Sequence, residues 1–214
     1  MLRLELPRST RAPLRILCLG AHSDDIEIGC GGTLRHLVES RPVALDWVVF
    51  SGNVVRAKEA RASARAIGKG AGSVWISTKR FRDGFFPSQL ARIKEEFERL
   101  KRRPSPDLIF CPRREDAHQD HRLVAGLAWN TFRDHLILEY EIPTYDGDLA
   151  TPNLYLPLDE NICREKVEHL RRFFPSQKGN QWMSDDTFWA VLRLRGIECN
   201  TRYAEGFTCR KASL

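Results

Sequence analysis

"LGAHSDDIEIGCGGT", residues 19–33, places a histidine, two adjacent carboxylates and a cluster of glycines directly after an apolar run. That run, Leu14 to Ala21, has the length and composition of a strand buried on both faces. The polar stretch after it could be a glycine loop gripping a phosphate, a metal site, or only the end of the strand. A dinucleotide fingerprint needs G-x-G-x-x-G across the turn from strand to helix. Here Gly20 leads into the charged "HSDD", and Gly29, Gly31 and Gly32 come later without that spacing. No Walker lysine is present after them, and two carboxylates at the mouth would repel a pyrophosphate. The glycines are expected to let the chain turn tightly before a helix that begins near Thr33.

Working outward, similar apolar runs recur at Ala44 to Ser51, Ser73 to Ser77, Asp107 to Pro112 and Ile137 to Ile142. Between them lie segments of helical period: Thr33 to Glu39, Val55 to Ile67, Ser88 to Arg102 and His121 to Asp134. Gly68, Gly70 and Gly72 stop the second of these and Pro104 the third. Alternation of buried strands with helices predicts a three-layer α/β/α fold, a Rossmann-like, mostly parallel sheet with helices on both faces. In such sheets ligands bind beyond the carboxyl ends of the strands, so the segment after the first strand and that after the fourth, residues 113–121, should open on one rim.

After Pro143 a turn-rich connector leads to "LYLPL", helix candidates at Asp159 to Phe174 and Ser184 to Leu194, and a last strand near Tyr203 to Cys209. At 214 residues with 42% hydrophobic content, the chain suits one core. We expect a single domain over 1–214, with a Rossmann-like core about 14–143 that the C-terminal part completes. Lys and Arg outnumber Asp and Glu by 34 to 28, a net +6, but they are spread along the chain. A solvated basic surface is the simpler reading, and no nucleic-acid partner is expected. Six cysteines form no CxxC pair, and several sit inside apolar runs, as buried reduced thiols do. The segment Met1 to Pro13 has arginines but no apolar h-region, and no stretch is long and apolar enough to span a bilayer. The expectation is a cytoplasmic protein with no membrane span, and oligomerisation has no signature in the sequence.

The second chemical constellation is "EDAHQDH", residues 115–121. His118 and His121 flank Asp120 just before a helix, where Asp120 is a candidate N-cap. Lone histidines such as His36, His135 and His169 read as ordinary surface or core residues, whereas three of the six histidines fall in two Asp-rich turns on one rim. Two His and one Asp form a mixed N/O set suited to zinc with a position open for water, and iron is accepted by the same set. Spacing alone leaves open whether Asp24 or Asp25 joins His22; the other, held near the metal, is a candidate base.

These residues resemble a known family. "AHSDDIEIGCGGT" is similar to the AHPDD-x(n)-GG signature, and "HQDH" to the HPDH signature, of the zinc-dependent N-acetylglucosamine deacetylases of the PIG-L/LmbE-like superfamily. "FRDGF" at 81–85, Arg56 to Glu59 and "RYAEGF" at 202–207 resemble weaker patterns of the same family. The resemblance implies one Zn²⁺ per chain, with Fe²⁺ as the other option, held by His22, Asp25 and His121, and Asp24 as general base. His118 is then the group that stabilises the oxyanion in protonated form or protonates the leaving group, oriented by Asp120. Arg56 and Asp83 match positions that contact substrate hydroxyls. The implied activity is removal of the N-acetyl group from an N-acetylglucosamine-type sugar or glycoconjugate. The alternatives are hydrolysis of a different amide at the same site, and a non-catalytic sugar- or nucleic-acid-binding protein. Ser23 and Gln119 stand where the family has prolines, which is expected to loosen both loops. Glu27 and Glu205 receive no role.

Overall fold

The computed structural model describes residues 12–213; most of the Met1–Pro13 segment therefore lies outside the described residues. A seven-stranded sheet forms the centre, built from β1 (Leu14–Gly20), β2 (Val43–Ser51), β3 (Ser73–Phe81), β4 (Leu108–Pro112), β5 (Leu136–Tyr140), β6 (Leu154–Leu158) and β7 (Tyr203–Cys209). Their spatial order is β3-β2-β1-β4-β5-β7-β6. Neighbouring strands from β3 through β5 pair in parallel, and β7 runs antiparallel to both β5 and β6. The expected mostly parallel α/β/α fold is what forms.

Among the described residues six α-helices cover the sheet: α1 (Asp25–Ser40), α2 (Val54–Ile67), α3 (Leu90–Lys101), α4 (Gln119–Thr131), α5 (Glu160–Phe173) and α6 (Asp185–Glu198). Strand alternation assigns them to faces. Ile16 and Cys18 of β1 join a core with residues of α1, α2, α5 and α6, while Leu17 and Leu19 join a second core with α3 and α4. A strand that feeds two cores must be apolar along its whole length, as β1 is. The six cysteines are all free, and only Cys209 is not fully buried. Among the described residues, no helix is long and apolar enough to cross a membrane.

One expectation fails in an instructive way. The first helix starts at Asp25, not near Thr33, and carries Gly29, Gly31 and Gly32 within it across a kink at Cys30 (φ −143°, ψ 17°). The glycines are there for close packing. A Cβ on Gly29 would lie 2.1 Å from Cδ2 of Tyr140, and one on Gly32 would lie 2.7 Å from Cδ1 of Leu158. Without side chains at these points α1 settles onto β5 and β6, which more than offsets the cost of roughly 1 kcal/mol that each helical glycine carries.

The kinked segment is also bolted from the far end of the chain. Glu205 on β7 accepts hydrogen bonds from the Gly32 amide (2.9 Å) and the Thr33 amide (2.7 Å), and pairs with Lys166 of α5. Lys166 in turn donates to the Ile28 carbonyl (2.6 Å). The kink frees backbone groups that a regular helix would pair, and this buried ion pair satisfies them.

Candidate active site

In a sheet of this order the direction of winding across the sheet switches between β1 and β4, and the crevice opens there. The register sets Cys18 beside Phe110, so the segments leaving Gly20 and Pro112 emerge side by side. The first carries His22, Asp24 and Asp25 into the start of α1; the second carries Asp116 and His118 into the start of α4, with Asp120 and His121 in its first turn.

His22, Asp25 and His121 converge. His22 Nδ1 is 3.0 Å from His121 Nε2 and 3.5 Å from Asp25 Oδ1, and His121 Nε2 is 3.4 Å from Asp25 Oδ2. Two metal–ligand bonds of about 2.0–2.1 Å at a tetrahedral angle separate their donor atoms by roughly 3.3 Å. These separations, which run to the two different oxygens of Asp25, are close to that value, and the donor set suits zinc or iron. His118 also brings a ring nitrogen within 4.8 Å of those of His22 and His121, which permits an all-histidine grouping. We favour the triangle containing Asp25 because its carboxylate stands against both histidines and because His121 is held from behind: Asp116 Oδ1 lies 2.9 Å from His121 Nδ1. A carboxylate on the remote nitrogen fixes the ring so that Nε2 faces the triangle.

Charge obeys the same geometry. Burial lowers the affinity of the His121 imidazole for a proton, but Asp25 and Asp116 outweigh it and bring its pKa up to about 9. His22 is likewise driven above the ordinary imidazole range against its burial, by Asp25, Asp120 and Asp83. Asp25, whose burial alone would raise it, is pulled well below the carboxylate range by the two histidines. Two histidines with raised proton affinity face one carboxylate here, so a metal bound at this triangle would have to displace protons.

Asp24 is buried beside the triangle but does not join it. Its Oδ1 accepts from Nη2 of Arg56 at 2.6 Å, and its Oδ2 is buried without a hydrogen-bond partner. Burial raises its pKa, and Arg56 offsets part of the rise. Arg56, expected to touch substrate, is thus tied to Asp24, although it also lines the adjacent cavity. Asp83, expected on substrate hydroxyls, places Oδ1 3.0 Å from His22 Nε2. That approach lies off the ring N–H direction, since His22 Nε2 has no hydrogen-bond partner.

The second motif is arranged differently from the sequence reading. His118, not Asp120, caps α4: its Nδ1 accepts from the Asp120 amide at 3.2 Å. The Asp120 carboxylate lies within 4.8 Å of a His118 ring nitrogen but makes no hydrogen bond to it. It accepts from the amides of Gly84 (2.7 Å) and Phe86 (3.0 Å), so it pins the "FRDGF" segment, and it stands 3.5 Å from His22 Nε2. With Nδ1 engaged as an acceptor, the hydrogen of His118 sits on Nε2. Burial and the nearby His121 and His22 hold its pKa below the usual range. Both features favour the neutral form of His118, with Nε2–H as a donor.

The two residues standing where the family has prolines do not leave the loops slack. Ser23 Oγ donates to the Ser51 carbonyl (3.4 Å), and the Gln119 amide donates to the Gly84 carbonyl. Sequence reasoning misses Asp116 as a functional candidate. Its signal is present, an acid two residues before His118 in "EDAHQDH", and it also accepts from the His118 amide at 2.8 Å.

Fold and site together define a Rossmann-like α/β/α protein with a candidate metal triangle at the switch point of the sheet. The model of the PIG-L family, GlcNAc-PI de-N-acetylase, matches residues 17–132, and the chain belongs to that family. Among solved structures it is similar to the conserved protein TT1542 from Thermus thermophilus, at 19% identity and TM-score 0.71, over 95% of this chain and 97% of that one. It is also similar to N,N'-diacetylchitobiose deacetylase from Pyrococcus horikoshii (20% identity, TM-score 0.67, 92% and 83% covered). A third similar structure is GalB, the 4-carboxy-2-hydroxymuconate hydratase from Pseudomonas putida (17% identity, TM-score 0.71, 94% and 97% covered). Since deacetylase and hydratase share this architecture, the fold alone does not select the reaction.

Proposed function

We propose that this protein is a metal-dependent N-deacetylase that hydrolyses the acetamide of an N-acetylglucosamine-type sugar or conjugate, releasing acetate and a free amine. The observation that carries the proposal is the buried, unpartnered Oδ2 of Asp24 beside the His22–Asp25–His121 triangle. A family with de-N-acetylase character supports the reaction class, as does a deacetylase of an N-acetylated sugar among the similar structures.

His22, Asp25 and His121 would hold the ion. When bound, a zinc or iron ion brings a water pKa toward about 7 and polarises the amide carbonyl. Asp24 takes the proton from the attacking water through Oδ2 while Arg56 fixes Oδ1, and its burial moves its pKa toward the working range of a base. The Nε2–H of His118 donates to the carbonyl oxygen as negative charge grows there. Asp24 then returns its proton to the amide nitrogen, the carbon–nitrogen bond breaks, and the water oxygen leaves in acetate. Asp83 and Arg56 line the adjacent cavity and are the groups we assign to sugar hydroxyls.

The test is a panel of N-acetylated amino sugars, sugars with longer acyl chains and non-sugar acetamides, assayed by mass spectrometry for the lost acyl group, with and without a chelator. Chelator-sensitive acetyl loss confined to the sugars is expected. Turnover only of longer acyl or non-sugar amides would move the protein to a different amidohydrolase activity, and chelator-insensitive binding without turnover would make it a binding protein.

A further inference from the structure

The cavity beside the triangle, about 580 Å³, is lined by His22, Ser51, Asn53, Arg56, Arg80 and Asp83 among others. Its two guanidinium groups are in opposite situations. That of Arg56 is committed to Asp24 at 2.6 Å. That of Arg80, on β3 and exposed, has neither an ion pair nor a hydrogen bond among the described residues.

The neighbours of Arg80 in the chain are occupied: Lys79 pairs with Glu96 at 2.6 Å, and Arg82 lies over the Phe85 ring, 3.6 Å from its centroid. The acidic residue in the lining, Asp83, stands 3.0 Å from His22 Nε2. Asn53 spends Oδ1 on the Arg56 amide (3.0 Å), which leaves its Nδ2 hydrogens as donors. The helix α2 starts at the same wall with no acidic residue in its first turn. An unopposed guanidinium with neutral donors beside it, in a cavity continuous with the metal triangle, matches the chemistry of a carboxylate or phosphate. The helix start adds partial positive charge in the same sense.

We infer that Arg80 is a specificity-determining residue which selects N-acetylated sugars bearing an acidic substituent over neutral ones. The inference rests on the deacetylase reading above and extends it to the part of the substrate away from the scissile amide. Phosphate and carboxylate share the recognising chemistry, and the assay separates them.

Metal-loaded full-length protein is offered N-acetylglucosamine 1-phosphate, the carboxymethyl glycoside of N-acetylglucosamine and the neutral methyl glycoside. For at least one acid, kcat/KM is expected to exceed that of the methyl glycoside by about ten-fold, the size of a charge-assisted contact discounted for exposure. Arg80→Met should erase that preference through KM and leave the methyl glycoside unchanged; Arg80→Lys should retain part of it. The acid with the larger dependence on Arg80 identifies the group. Equal turnover of all three sugars, or an acid preference that survives Arg80→Met, overturns the inference. If none of the sugars is hydrolysed, the deacetylase reading fails by itself. Calorimetric binding of N-acetylglucosamine 1-phosphate then decides the role of Arg80: weaker binding to Arg80→Met than to wild type upholds it, and equal binding overturns it.

Discussion

Asp24 and Glu205 are both buried carboxylates lodged against α1, and they are equipped in opposite ways. Glu205 is saturated: two backbone amides and the Lys166 ammonium take up its oxygens. Asp24 has one partner, Arg56, and an oxygen left empty. A buried polar group without partners costs roughly 1–3 kcal/mol, and a fold tolerates that only where something else is gained. The saturated acid braces the structure and the unsaturated one is kept for chemistry.

That contrast is sharpest under isosteric substitution. Asp24→Asn should cut acetate release by about a thousand-fold, within the range of general-base contributions, and should leave the melting temperature unchanged or raised, because a costly charge is removed. Glu205→Gln should do the reverse: lose about 3 kcal/mol in denaturant unfolding, since Lys166 is left buried and unpaired, while the folded fraction keeps its kcat. A Glu205→Gln protein that is fully stable, or an Asp24→Asn protein that turns over normally, would break the distinction.

Smaller effects test the groups around Asp24. Arg56 lowers the Asp24 pKa against the rise caused by burial, so Arg56→Met should raise it. The base must be ionised to work, and the acid limb of the kcat/KM profile should therefore move to higher pH, with a loss of about ten-fold below neutrality and partial recovery in Arg56→Lys. An unmoved acid limb would show that Arg56 does not act through Asp24.

The last effect concerns a histidine on α5. His169 Nε2 lies 2.7 Å from Ser63 Oγ, which also bonds Glu27. Burial, with Arg172 and Arg35, brings the His169 pKa down from 6.5 to about 4. The unfolded chain takes up this proton first, so the stability that neutral His169 contributes is full above pH 6.5 and is lost as pH falls to about 4. His169→Gln should flatten that part of the stability–pH curve; an unchanged slope would assign it to other groups.

Much of the fold and site is legible in the sequence because it is local. Apolar runs of strand length alternating with helical periods give the parallel sheet, and two polar motifs after the first and fourth strands give the shared rim. The features that are not legible depend on partners distant in the chain. The helix of the first motif begins eight residues earlier than its glycines suggest because Tyr140 and Leu158 fill the space where Gly29 and Gly32 lack side chains. Asp120 reads in the sequence as the partner of its neighbour His118, yet its carboxylate is taken by Gly84 and Phe86 from another loop. Glu27 and Glu205 could be given no role from the sequence, since the groups that engage them, Ser63 and Lys166, are brought near only by the packing of α2 and α5 on α1.

The claim on which the rest depends is that His22, Asp25 and His121 hold a metal while Asp24 and His118 stand beside it. Metal content per chain, measured by plasma mass spectrometry after zinc loading and desalting, tests it directly. Wild type, Asp24→Asn and His118→Ala should each retain one zinc, and His22→Ala, Asp25→Ala and His121→Ala should lose it. Loss of zinc from His118→Ala with retention in Asp25→Ala would contradict the assignment and favour the all-histidine grouping.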